Sequence, residues 1–560
     1  MCYRFMHSHT RRALLGASIT AIGSGVLAAC SGPGSHSGPG SHSGPGPHPA
    51  SGSPSETDTR SGARDPGHRD SGFVPKGPKG YVNPSDPEVV AAERERGSGP
   101  LRTFTLTATE TSFDLGGRTV RSWAYGDTLP GKEIRITAGD ILNLTLVNHL
   151  SVTTTLHSHG VRMRCDMDGV PGLTQPSIKP GADFTYRFAV SHPGTYWLHS
   201  HSGMQLDRGM YAPLIVEDPK EPLSYDKEWV VVLDDWLDGV DGSTPDGVLA
   251  QLHNGKSVQM DMGESTAHDG SGHGSSAGKP VGPSRVLRKG HSDMLRSAGG
   301  HVDHPYYLIN GRLPKAPSVF RARPGDRIRL RIINAGSDTA FRVALGGHEM
   351  TVTHTDGYPV EHKQTDTLLL GMAERYDVLI TAKDGVFPLV ALAEGKNARA
   401  LAVLRTGSGS LPEHSAHPEE LDGRFVPARL FVPTESVALC DRPPDRELRF
   451  KMTGNMRKFN WSFDHQPYSI EQRHPVREGE RVRLTLINTT DMWHPMHLHG
   501  HTFALTGMNA AGARKDTSLV LPHHRLVVEF NADNPGLWML HCHNQYHSES
   551  GMMTNLGYLK

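Results

Sequence analysis

The segment from His541 to Met553 reads HCHNQYHSESGMM. Extended chain turns successive side chains to opposite faces, so His541 and His543 would look one way and Cys542 the other. One strand would then serve two separate sites. Thiolate, imidazoles and a weak axial thioether make up the electron-transfer type of copper site. Cys542, His547 and Met552 supply three of those four ligands. Three more His-x-His pairs, His157/His159, His199/His201 and His497/His499, join His541/His543. On extended segments each pair projects to one side, and eight imidazoles suit a copper cluster. Structural zinc favours compact tetrahedral Cys/His sets with local spacing, and only one cysteine lies among these motifs.

The elements that must carry these residues read as short alternating strands from about Leu101 onward, broken by Gly, Pro, Asn and Asp. Three segments look alike: Ala138-Gly139-Asp140 running to Asn148, Pro324-Gly325-Asp326 to Asn334, and Glu478-Gly479-Glu480 to Asn488. A turn, an alternating strand and a terminal Asn, three times over, predict three related β-sandwich domains. Nine and eleven residues after each Asn stand His157 and His159, Val343 and Leu345, and His497 and His499, with Gly160, Gly346 and Gly500 following. The outer domains bear ligands and the middle one does not. A second alignment sets Pro193-Gly194…His199-Ser200-His201 against Pro535-Gly536…His541-Cys542-His543, so only the last domain can build a thiolate site. Because half the imidazoles come from the first domain and half from the last, these two must meet around the cluster.

The 560-residue chain is long enough for several domains, and its 58 basic against 59 acidic side chains point to neither nucleic acid nor an anionic surface as partner. Five cysteines are too few for a disulfide scaffold, while 34 histidines are many. Residues 1–30 read as an address. Thr10-Arg11-Arg12-Ala13-Leu14-Leu15 is a twin-arginine start, followed by an apolar run and Leu27-Ala28-Ala29-Cys30. This resembles a bacterial lipoprotein signal with Cys30 as the lipidated residue; a plain cleaved signal or an uncleaved anchor helix are the alternatives. Residues 31–99, with SGPGSH twice over, read as a disordered tether. Domains are expected at 100–220, 221–408 with an insertion at 251–304, and 445–560, with a linker at 409–444.

Taken together, HSHG, HSH, HPMHLHGH and HCHxxxHxxxxM make the chain from about Leu101 to Lys560 resemble the three-domain multicopper oxidases, which include laccases, ascorbate oxidases and bacterial copper-resistance oxidases. The resemblance implies an all-β fold of three cupredoxin-like Greek-key sandwiches and four copper ions. His494, Cys542 and His547 would hold the type 1 copper with Met552 axial, and His157 and His497 the type 2 copper. His159, His199, His201, His499, His541 and His543 would hold the type 3 pair. Electrons entering near Cys542 would reach His541 and His543 through the adjoining backbone, and dioxygen would be reduced to water. The resemblance also places a proton-relay carboxylate at Asp168, whose plainer reading is a turn-forming Asp-Gly. Ser548 stands where some copper-efflux oxidases have an acid, with Glu549 as a weak substitute.

A methionine at Met552 favours easily oxidised donors, either Cu(I) or small phenols. The 251–304 insertion holds Met260, Met262 and Met294 with His268, His273, His291 and His301, which could ferry cuprous ions or be incidental to a Gly/Ser-rich surface loop. Three functions follow: a copper-tolerance oxidase of Cu(I), a laccase, or a non-catalytic copper-binding or electron-carrier module. The full His set favours the enzymes. The protein is expected to be a monomer, outside the cytoplasmic membrane and held to it only by a lipid on Cys30, or else extracellular. Cys165 and Cys440 would either form a disulfide in that oxidising compartment or remain free thiols.

Overall fold

A computed structural model of the protein describes residues 79–254 and 282–560. The export signal, most of the tether, and Met260, Met262, His268 and His273 lie outside the described residues.

The strands form six sheets, two to each of three sandwiches. In each sandwich the strand ending in the repeated Asn pairs parallel with the sandwich's opening strand: Ile141–Asn148 with Leu101–Asp114, Arg327–Asn334 with Lys227–Trp236, and Arg481–Asn488 with Arg446–Thr453. On its other side it pairs antiparallel with Asp183–Ala189, Arg375–Thr381 or Arg525–Asn531. In the outer sandwiches this central strand buries alternate residues, Leu142, Leu144 and Leu146 or Val482, Leu484 and Leu486, as expected of a sheet with one face on the core. The middle strand is buried almost throughout, because Arg329 and Arg331 on its second face are covered and paired with Asp377, Glu221 and Glu228.

The repeated Asn does the same work three times. The Asn148 amide donates to the carbonyls of Val152 and Ile178, Asn334 to Thr339 and Leu370, and Asn488 to Met492 and Val520. Each side-chain oxygen accepts a backbone N–H two residues on. The loop after the strand is thereby tied shut, which fixes where the following strand begins. Those following strands are His157–His159, Phe341–Leu345 and His494–Leu498.

The tether expectation fails for residues 79–99. Pro87–Glu95 is a helix with Val89 buried beneath it. Tyr81 bridges to Leu559, Lys560 pairs with Asp86 at 2.8 Å, and Glu93 accepts the Ala189 N–H. Composition suggested a solvated stalk, but Val82 and Val89 find apolar partners on the folded body. The helix Pro245–Asn254 runs into the start of the insertion, and the described return segment 282–304 carries only isolated bridges, Val286 to Val302 and Ser292 to Ser297.

Candidate metal centre

Two antiparallel strand pairs set the stage. In the first sandwich His157 lies opposite His199, and in the last His497 lies opposite His541 and Met496 opposite Cys542. Strand pairing therefore stacks His-x-His pairs side by side, and the two sandwiches bring their stacks together. The His157 ring stacks on His499 with centroids 4.0 Å apart, and His159 on His497 at 3.8 Å. All eight imidazoles are buried or nearly so.

The outer nitrogens settle which atoms remain free. The Nδ1–H groups of His157, His199, His497 and His541 donate to the carbonyls of Asp168, Ser200, Asp516 and Cys542. His499 Nδ1 faces the Asp168 carboxylate at 3.0 Å and His159 Nε2 faces Asp516 at 3.0 Å. Since carbonyls and carboxylates only accept, each opposite nitrogen carries a bare lone pair. Those nitrogens on His157, His159, His199 and His497, with both nitrogens of His543 and Nε2 of His201, have no partner. The bare Nε2 atoms of His499 and His541 lie 3.0 Å apart, a repulsive contact unless a cation joins them. Burial pushes the His201 imidazole down to about 3 and holds those of His159, His199, His499, His541 and His543 well below the usual value, so these six rings are neutral and ready to coordinate. The donor set fits copper: the free nitrogens gather as His157/His159/His497, His159/His199/His543 and His201/His499/His541.

Asp516, which sequence reasoning missed, is fully buried. Although burial works against its ionisation, the Arg375 guanidinium, bidentate at 2.6 and 2.7 Å, holds its carboxyl well below the usual carboxylate range. An ionised Asp516 keeps the proton of His159 on Nε2 and leaves Nδ1 free. Asp168 does the equivalent for His499, while its backbone carbonyl holds His157. The turn reading of the Asp168-Gly169 pair holds, for a Cβ at Gly169 would lie 1.9 Å from the Leu156 carbonyl oxygen at a φ of +83°.

The other face of the His541–Cys542 strand looks into a second cluster. Cys542 Sγ lies 3.4 Å from His547 Nδ1 and 3.7 Å from His494 Nδ1, and the two nitrogens are 3.0 Å apart, all buried. Burial pushes the Cys542 thiol up, so a thiolate there needs a cation beside it. Met552 is buried, and its backbone bonds to both Cys542 and His547 at 3.1 Å. Asn544 caps the helix Gln545–Glu549 through Tyr546 N and His547 N, which sets the His547 ring against Cys542. Glu549 lines a narrow cleft with His199, His201, His541 and His543, and burial pushes its carboxyl up to about 7. Cys165 and Cys440 are free: the Cys165 thiol is buried against the Leu537 backbone at 3.2 Å, which removes the disulfide alternative.

Three family models described as multicopper oxidase match residues 107–221, 270–409 and 441–558. The chain is also 48% identical over 473 residues, covering 84% of this chain and 90% of the relative, to "Multicopper oxidase MmcO" of Mycobacterium tuberculosis. The chain belongs to the multicopper oxidase family. It is thus an oxidoreductase with copper cofactors, in a family that contains both cuprous oxidases and laccases. A "Copper resistance protein A homolog" of Pseudomonas syringae is 29% identical, covering 80% of this chain and 91% of that one. Among solved structures, Fet3p, described as a multicopper oxidase that functions in iron import, matches in fold with TM-score 0.68 at 22% identity, covering 82% of this chain and 90% of that one. Among the described residues no helix of this multicopper oxidase is long and apolar enough to cross a membrane.

Proposed function

We propose that this multicopper oxidase removes electrons singly from a donor beside His547 and delivers four of them to dioxygen, giving water. Four coppers would be held: one by His494, Cys542, His547 and Met552; one by His157 and His497; and two by His159, His199 and His543 and by His201, His499 and His541. Bound copper supplies the one-electron redox steps and the oxygen-binding positions. What carries the reading is a single strand whose Cys542 faces a His₂Cys cluster while His541 faces the cluster of eight imidazoles.

The protein's own groups hold and orient. Asp168 and Asp516 fix tautomers through outer nitrogens, and Asp168 Oδ2 is the proposed station for protons bound for the oxygen site. Burial of every ligand but His201, which is partly exposed at a narrow cleft, keeps a bulky donor from the cluster and limits release of partly reduced oxygen.

Cu(I) is the proposed donor, supported by the copper-resistance relatives. Laccase activity is the second reading, supported by relatives named laccase at 26–28% identity. A non-catalytic carrier is disfavoured by the complete His set. Oxygen uptake by the copper-loaded protein with cuprous ion and with a phenol under the same conditions tests both: a higher rate with Cu(I) supports the first reading, a higher phenol rate the second, and no uptake with either removes the enzyme. Export and a lipid on Cys30 are proposed from the sequence, and radiolabelled fatty acid incorporation lost in Cys30→Ala checks them.

A further inference from the structure

His547 points its Nδ1 at Cys542 and His494, so Nε2 is the outer nitrogen and carries the ring proton when Nδ1 coordinates. That outer nitrogen does not reach solvent. His301, from the return segment of the insertion, sets its own Nε2 2.5 Å away, with ring centroids 4.7 Å apart, and is itself 1% exposed. Since His547 Nε2 donates, His301 Nε2 accepts, and the His301 proton sits on Nδ1, which is buried without a partner. Phe459 and Trp461 close the sides, at 5.1 and 5.5 Å from the His301 ring.

The same ring is held from the middle sandwich. Asp338, in the loop tied by Asn334, accepts the backbone N–H of His301 and of Val302 at 2.8 and 2.9 Å. It also accepts the Asn544 amide at 2.8 Å, the same Asn544 that caps the helix of His547, and Lys396 at 2.8 Å balances its charge. One carboxylate thus fixes both halves of the His301–His547 contact, so the two rings move as a unit.

We propose that His301 is a positioning residue that caps the outer edge of His547 and forms the port through which electrons enter. It holds the ring and its Nε2–H by hydrogen bonding, and, being buried itself, it relays electrons inward to His547 from a donor held outside the Phe459 and Trp461 rings. In the entry step no bond forms or breaks: a cuprous ion leaves as cupric, and the His494/Cys542/His547 centre gains one electron. This rests on the reading of that centre as the electron acceptor, and a wild-type protein without blue colour would sink that reading separately.

The test compares copper-loaded wild type with His301→Phe, His301→Ala and His301→Gln. Readouts are copper content, blue absorption, the reduction potential of the blue centre, and its anaerobic reduction rate by Cu(I). Losing the acceptor weakens the donating power of His547 toward the oxidised metal, so the potential rises in the Phe and Ala variants. Anaerobic reduction by Cu(I) slows by roughly tenfold or more, while reoxidation of the prereduced protein by dioxygen keeps its wild-type rate. Gln, which keeps an acceptor, restores the potential toward wild type. Should the Phe variant not fold, the Ala variant decides alone, as it introduces no bulk. Wild-type potential and wild-type Cu(I) reduction rate in a fully copper-loaded Ala variant overturn the proposal.

Discussion

The first and last sandwiches contain the same three-residue pocket filled in two ways. Six residues after Asn488 stands His494, and six after His541 stands His547, with Cys542 between them in space. The same counts from Asn148 and His199 give Thr154 and Gln205, with Ser200 between. These neutral groups satisfy one another: Thr154 and Ser200 each donate to Gln205 Oε1 at 2.7 Å, and the Gln205 amide donates to the Thr153 carbonyl. The His/Cys version instead crowds three ligand atoms within 3.7 Å of one another. Corresponding positions of the repeat therefore make a closed hydrogen-bonded plug in one sandwich and a cluster of metal-ligand side chains in the other.

Substituting Cys542→Ser carries the last pocket toward the first and should have the largest effect: the blue absorption disappears, one copper is lost per chain, and turnover falls by more than the roughly 100-fold seen for groups outside the ligand shell. Acid should act next, and unequally. Burial pushes His354 in the middle sandwich down to about 3 and His501 in the last down to about 4. Their folded values lie below the unfolded one, so the stability they contribute is complete above about pH 6.5 and falls as pH drops toward those values, by up to ~1.4 kcal/mol per imidazole per unit. Denaturant melts of metal-free protein at pH 7.5 and 5.5 should show that loss, and His501→Gln should relieve its own share.

Asp168→Asn keeps the shape but removes the carboxylate acceptor from His499. We expect a 10- to 100-fold slower turnover, with the blue band unchanged because the Cys542 pocket is untouched; steady-state oxygen uptake and absorption spectra check it. The smallest change is in the plug. Ser200→Ala deletes the hydrogen bond to Gln205 and the one Ser200 accepts from the Ser202 N–H and should cost about 1–3 kcal/mol in a denaturant melt, leaving copper content and colour as they were.

Much of this contrast was legible before any coordinates, because a strand imposes a period of two and an internal repeat supplies its own alignment. The four His-x-His pairs, the Ser200/Cys542 exchange and the apolar Val343 and Leu345 all follow from counting. Other residues gave no such signal. Asp516 reaches His159 across 357 positions, and His301 reaches His547 across 246; no local pattern encodes either contact, which exists only once separate sandwiches meet. Residues 79–99 were misread for a related reason: composition reports average solubility, whereas Val82 and Val89 are buried by partners elsewhere in the chain.

The line from Arg375 through Asp516 to His159 passes through all three sandwiches in sequence, middle to last to first. A chain that has completed only its first sandwich offers four histidines with neither the opposing imidazoles nor the carboxylate that sets His159. The full ring of eight therefore exists only in the finished, docked polypeptide.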